Sequence, residues 1–220
     1  VLQARAWVSP VLDRSHREIM ITPLPLYHIF SLTANCLIYM TLGAENVLIP
    51  NPRDIPGFVK TMRKYPFTAI TGVNTLFNAL VHNPKFPQVS FKSLRVVLGG
   101  GMAVQEAVAK RWKEITGVTL VEAYGLTETS PLMTICEPLP EHLALAPDAR
   151  ARQKARQGVE QLAGGEVRVV DDGGVEVPHD GLTQGEIVTR SNVVMAGYYN
   201  DPAATEAVMA GGWFHSGDAA

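Results

Sequence analysis

Between Ile19 and Ala123, short apolar runs bounded by Gly and Pro alternate with segments of helical period. Residues 19–26, 46–49, 67–71, 94–98 and 118–123 read as strands. Residues 29–42, 75–82, 104–116 and a segment from Asp54 to about Tyr65 read as helices. In the clearest helix, Val104, Ala107, Val108, Trp112 and Ile115 share one face, and Gly117 supplies the stop. Gly43 closes the first helix, and Asp54 caps the second. Strand–helix alternation with short connections implies a parallel sheet covered on both faces. Ligands bind such sheets at the carboxyl ends of the strands. Four segments fall there: Tyr27-His28, residues 72–75, residues 99–102 and residues 124–128. Parallel strands place all four on one rim.

Beyond Pro131 the texture changes. Residues 137–164 are rich in Pro, Ala and Arg, with an exposed helix expected over 148–157. Arg150, Arg152, Lys154 and Arg156 on it read as a solvated face. From Gly165 the pattern is β: strands at 166–170, 175–177 and 186–190, with a turn at residues 171–174. Asp201-Pro202 opens a short helix that Gly211-Gly212 ends. The expected organisation is an α/β subdomain over 1–131, a connector over 132–164 and a small sheet or β-barrel-like subdomain over 165–220.

Bulk properties exclude several classes. With 46% hydrophobic and 18% charged residues, the 220-residue chain is globular rather than disordered. A formal net charge of −2 argues against a general electrostatic grip on nucleic acid. Cys36 and Cys136 lack a CxxC partner, so neither a disulfide framework nor a zinc site is expected. A reducing cytoplasm is the default. Ile19 to Ala44 contains no Asp, Glu, Lys or Arg, but Pro23 and Pro25 interrupt it. A buried strand followed by a buried helix explains this run better than a membrane span. The chain starts at Val1 without an initiator Met and stops abruptly at Ala220, so it reads as a slice of a longer protein.

The rim segments carry chemistry. In Tyr124-Gly125-Leu126-Thr127-Glu128, the ring can stack on a base and the Thr hydroxyl can donate to a phosphate oxygen. The carboxylate can ligate Mg²⁺, which prefers oxygen and bridges to phosphates. An ordinary loop with a Thr/Glu helix cap explains Thr127 and Glu128 but not the whole string. Gly99-Gly100-Gly101 lets a flat ligand lie on backbone before a helix start, although a tight βα turn also favours Gly. Asp218, just after Gly217, can accept bonds from both ribose hydroxyls, and Ser-Gly-Asp is equally an ordinary turn. His28, between Tyr27 and Phe30, reads as pocket lining.

In order, these strings resemble the AMP-forming acyl-CoA synthetases of the adenylate-forming superfamily. PLPLYHIF resembles the family's aromatic His motif, and ITGVNTLFNAL and LRVVLGGGMAVQ resemble bacterial long-chain fatty acid CoA ligases. EAYGLTETSP matches the adenine/phosphate/magnesium motif, and GEIVTRSNVVMAGYYNDP and GWFHSGD match two later motifs. LMTICEPLPEH and the stretch after it look more like another branch of acyl-activating enzymes. The resemblance implies that Tyr124, followed by Gly125, stacks on adenine. Gly100, Gly101 and Met102 would border the adenylate and the acyl chain, and His28 would wall the carboxylate end. Thr127 would contact phosphate, Glu128 would hold Mg²⁺ and Asp218 would bind ribose. It also implies ATP, Mg²⁺ and CoA, a fatty or other apolar carboxylate as substrate, and peripheral contact with a membrane. The family's phosphate loop should lie upstream and its adenylation lysine downstream, so the isolated chain is expected to be inactive.

Two rivals stand beside this reading. An amino-acid-activating domain places an acid shortly after the His motif to hold an ammonium; none occurs here between His28 and Glu45. A non-catalytic nucleotide-binding module would keep the adenosine site without turnover.

Overall fold

The computed structural model describes residues 5, 8, 11, 12, 15–136, 159, 160 and 165–220. The helix expected over 148–157 lies outside the described residues. Five parallel strands form most of the first sheet: β1 (Ile19–Thr22), β2 (Glu45–Leu48), β3 (Ala69–Gly72), β4 (Val96–Gly100) and β5 (Val121–Tyr124). Two antiparallel strands, β6 (Thr134–Cys136) and β7 (Val159–Glu160), continue it past Pro131. The strand order is β2-β1-β3-β4-β5-β6-β7. The chain therefore reverses its direction of travel across the sheet between β1 and β3, which opens a crevice at their carboxyl ends.

Alternation along the strands sorts the side chains onto two faces. Ile19, Ile21, Ile70 and Val97 face a large core completed by three helices: α2 (Ile55–Met62), α3 (Asn74–Val81) and α4 (Glu106–Thr116). Trp112 is fully buried there, edge-on to Phe77 at 5.0 Å. Met20, Ala69 and Val96 face the other way, against α1 (Ile29–Leu42). Helix α1 is not the uniform helix that the spacing of 29–42 predicts. It runs α over Ile29–Ser31, π over Leu32–Leu37 and α over Ile38–Leu42, with the Ile38 N–H bonded to the Thr33 carbonyl. A buried polar network pins the wide turns. Asn35 Nδ2 donates to Thr22 Oγ1 (3.2 Å), and Thr71 Oγ1 donates to Asn35 Oδ1 (2.9 Å). Asn46 Nδ2 donates to the Asn35 carbonyl (2.8 Å).

The second sheet is four-stranded and antiparallel. It comprises β8 (Glu166–Val170), β9 (Glu186–Arg190), β10 (Met209–Ala210) and β11 (Trp213–Ala219) in the order β10-β11-β9-β8, with α5 (Pro202–Val208) preceding β10. The segment 175–177 contributes only one bridge, Val170 to Glu176, and not a full strand. The guanidinium groups of Arg168 and Arg190 stand over the Trp213 ring, at 4.5 and 4.8 Å from its centroid. Helix α4 starts at Glu106, two residues later than its apolar spacing suggests. The Val104 N–H donates instead to Glu122 Oε2 at 3.1 Å.

Candidate functional site

The glycine string closes β4 instead of forming a loop. Gly99 faces the side of α3, where a Cβ would meet Leu120 and Val104 at 2.9 Å and Phe77 of α3 at 3.6 Å. Gly100 faces α1, with Phe30 3.2 Å from where its Cβ would stand. Gly101 then turns the chain at φ +77°. One strand over, Gly125 passes so close to the following loop that a Cβ would lie 1.9 Å from the Pro131 carbonyl oxygen.

After Gly125 comes a single 3₁₀ turn, Thr127–Thr129. Thr129 caps it: the Leu126 N–H donates to Thr129 Oγ1 (2.9 Å), which donates back to the Leu126 carbonyl (3.0 Å). The capping that the ordinary-loop reading gives to Thr127 therefore falls to buried Thr129. Thr127 is exposed at the rim.

The acids at the rim are held by contacts that cross between the two sheets. The Tyr124 hydroxyl donates to Asp218 Oδ2 at 2.7 Å. Burial, reinforced by that bond, pushes the Tyr124 phenol well above the ordinary tyrosine range. Asp218 stands on β11, where a turn alone was one reading of Ser-Gly-Asp. Its own N–H donates to Ser216 Oγ (3.1 Å), which donates to the Ile187 carbonyl (2.6 Å). Glu186 on β9 completes the support: it accepts from the Gly217 N–H (2.9 Å) and pairs with His215 Nδ1 (2.7 Å). Across the seam, Tyr198 Oη donates to Glu128 Oε1 at 3.0 Å, and the Met195 N–H donates to the Glu128 carbonyl at 2.7 Å.

A cavity of about 240 Å³ opens at this rim and runs between α1 and the sheet. Its mouth is formed by His28, Gly100, Gly101, Tyr124, Gly125 and Thr127. His28 caps α1, its Nδ1 accepting the Phe30 N–H at 3.2 Å. The walls are apolar or small: Phe30, Ala34 and Ile38 from α1, and Val96, Leu98 and Ala123 from the sheet. Among the described residues that form the lining there is no Asp or Glu. Three candidates, Met102, Glu128 and Asp218, are not part of this lining. Glu128 and Asp218 stand at the seam beside it, whereas Met102 is 69% exposed.

Sequence reasoning assigned no individual role to Tyr198, Glu186, His215 or Thr129. Tyr198 stood in the GYYND string, but what gives it a role is a bond to a residue 70 positions earlier, which no local spacing signals. Among the described residues, no group of three or more His, Cys, Asp or Glu side chains could hold a metal ion by itself. The oxygens of Glu128 and Thr127 suit a hard cation that arrives with phosphate oxygens.

A parallel sheet whose glycine-bordered strand ends meet a second, antiparallel sheet at an acid-tipped seam is the N-terminal-domain architecture of adenylate-forming enzymes. The N-terminal domain of FACL13 from Mycobacterium tuberculosis shares it, with a TM-score of 0.80 at 25% identity over 99% of this chain and 51% of that one. So does an anthranilate CoA ligase, AuaEII, crystallised with anthranoyl-AMP, with a TM-score of 0.81 at 24% identity over 99% of this chain and 40% of that one. The chain belongs to the AMP-binding enzyme family, whose sequence profile matches residues 1–199. It is 46% identical over 218 residues to a long-chain-fatty-acid–CoA ligase of Escherichia coli O6:H1. It is 42% identical over 219 residues to the ligase of that name from Haemophilus influenzae. The alignments cover 99% of this chain but only 36% and 37% of those relatives. No helix among the described residues is long and apolar enough to cross a membrane.

Proposed function

We propose that the protein activates a fatty carboxylate with ATP and passes the acyl group to CoA. The observation that carries this reading is the cavity. One continuous space joins an apolar α1 face to Tyr124, Gly125 and Thr127, so a tail and a nucleotide can meet end to end. The apolar wall excludes water and removes alkyl surface from solvent at about 25 cal/mol per Å². A carboxylate oxygen at the mouth attacks the α-phosphorus, the bond to the bridging oxygen breaks, and pyrophosphate leaves. The CoA sulfur, on losing its proton, then attacks the acyl carbonyl and AMP leaves.

The rim residues have separate roles in this reading. Tyr124 offers its ring to adenine, Asp218 accepts from the ribose hydroxyls, and Thr127 donates to phosphate. Gly100 and Gly101 let the adenylate lie against backbone, while His28 fixes the start of α1 beside the carboxylate. Glu128, with Thr127 oxygen beside it in sequence, would hold Mg²⁺, which supplies neutralisation of phosphate charge when bound. The protein would act in the cytoplasm, in peripheral contact with the membranes in which such acids partition.

An amino-acid substrate is disfavoured by the cavity itself, because among the described residues its lining has no carboxylate to pair with an ammonium. The test is fatty-acid-dependent ATP–pyrophosphate exchange in the full-length protein, across acids from short to long. Exchange with long acids and none with amino acids is expected. Silence with every acid, alongside intact AMP binding, would instead identify a nucleotide-binding module.

A further inference from the structure

Glu128 is gripped twice from the loop between β9 and α5, and the two grips differ in kind. The Met195 N–H fixes its backbone carbonyl (2.7 Å), and Tyr198 Oη fixes one carboxylate oxygen (3.0 Å). Among the described residues, Oε2 has no bonding partner. The loop that makes both contacts is itself built rigidly. The Tyr198 N–H donates to Thr205 Oγ1 (2.9 Å), whose hydroxyl donates to the Asp201 carbonyl (2.8 Å). Gly197 brings the loop so near α5 that a Cβ would stand 2.8 Å from Thr205. Asp201 caps that helix through the Ala204 N–H (2.9 Å). A chain of bonds thus runs from the α5 cap, through Thr205 and Tyr198, to the carboxylate.

We propose that Tyr198 is a positioning residue that presents Glu128 to a divalent cation carried by the nucleotide phosphates. The inference rests on the proposed nucleotide chemistry and adds the residue that prepares its acid. A phenol suits the task better than a cation. It donates one bond and fixes the carboxylate's orientation, yet leaves the negative charge in place for the metal. A flexible glutamate must otherwise be ordered when the metal binds, and ordering it beforehand removes that cost. Groups that orient a metal's ligand commonly contribute about tenfold or more to metal affinity.

The experiment uses the full-length protein, Mn²⁺ as a spectroscopic substitute for Mg²⁺, and a non-hydrolysable ATP analogue, with no carboxylate or CoA present. Free Mn²⁺ is read by electron paramagnetic resonance. Tyr198→Phe is expected to weaken nucleotide-dependent Mn²⁺ binding about tenfold. AMP affinity in EDTA and the melting temperature should stay unchanged. In a Glu128→Gln background the same substitution should add nothing further. Thr205→Val, which frees the Tyr198 backbone but keeps the phenol, should give a smaller loss in the same direction. It keeps the question answerable even where Tyr198→Phe folds poorly.

Unchanged or tighter Mn²⁺ binding in Tyr198→Phe would overturn the proposal. So would a parallel loss of metal-free AMP affinity, which would mark Tyr198 as merely structural. A wild-type protein that binds the nucleotide but no Mn²⁺ with it would overturn the metal role of Glu128 and this proposal together. Exchange activity that survives alongside an unaffected Tyr198→Phe variant would sink the positioning role alone.

Discussion

Tyr39 puts a hydroxyl into the core of the α1 face with no hydrogen-bond partner among the described residues. Burial raises its pKa well above the ordinary range, and the neighbouring Glu18 charge adds to the effect, so the phenol stays neutral. An unpaired buried hydroxyl forfeits its bonds to water without replacement, at about 1–3 kcal/mol. Tyr39→Phe keeps the ring and removes the orphan atom. It is therefore expected to raise stability by about 1 kcal/mol, seen as a higher urea midpoint at unchanged slope. A lower midpoint would show that the hydroxyl is satisfied in solution. At Gly125 the opposite outcome is expected. Gly125→Ala must displace the Pro131 carbonyl, which lies 1.9 Å from the new atom, and should cost at least about 2 kcal/mol together with nucleotide affinity. Thermal melts with and without AMP check both effects. The sequence makes Gly125, Tyr124, Thr127 and Glu128 legible because they are contiguous, and a string of unusual chemistry stands out without knowledge of the fold. The reason Gly125 must lack a side chain is not legible, because it lies in a neighbouring loop. The same limit hides the orphaned state of Tyr39, although the apolar run around it shows that the helix is buried.

Elements whose residues interact along the chain were the readable ones. All five parallel strands and the helices between them follow from period and punctuation. The π turns of α1 do not, because Asn35 finds its partners on β1, β2 and β3, and only the assembled sheet brings Thr22, Asn46 and Thr71 to it. In the same way β11 passes for a turn until β9 pairs with it at Phe214–Thr189 and His215–Val188. That pairing carries a pH dependence. The bond from His215 holds the Glu186 carboxyl below the usual carboxylate range; partial burial opposes it, and the Gly217 N–H assists. A depressed native pKa means that the contribution is complete above the unfolded value of about 4.3 and is lost as pH falls through the native value. Stability should therefore fall on the acid side, and Glu186→Gln should flatten that limb, by under about 1 kcal/mol for so exposed a pair. Urea midpoints between about pH 3 and pH 6 measure it, and parallel curves for the two proteins would contradict it.

For the whole molecule, the proposed nucleotide site coincides with the seam between the sheets. Tyr124–Asp218, Tyr198–Glu128 and Met195–Glu128 all cross it, and each involves a residue assigned to nucleotide or metal, or its immediate support. A ligand held by Tyr124 on one side and Asp218 on the other binds only when the sheets are docked. By mass action it must stabilise that docking, by about 2.7 kcal/mol at a hundredfold excess over Kd. The gain has a predictable location. The face packed by Phe58, Phe77 and Trp112 is held by its own core and should open only globally. The loop 191–200 and β11 lie at the seam and should open locally, with a smaller free energy. AMP should therefore slow amide exchange most at 195–200 and 213–219 and least along α2 and α3. Asp218→Ala should erase the difference by removing one anchor while leaving the first sheet intact. Uniform slowing across the chain would mean that the sheets open as one cooperative unit. Slowing confined to β4 and β5 would mean that the nucleotide never reaches the second sheet, and the role given to Asp218 would have to be withdrawn.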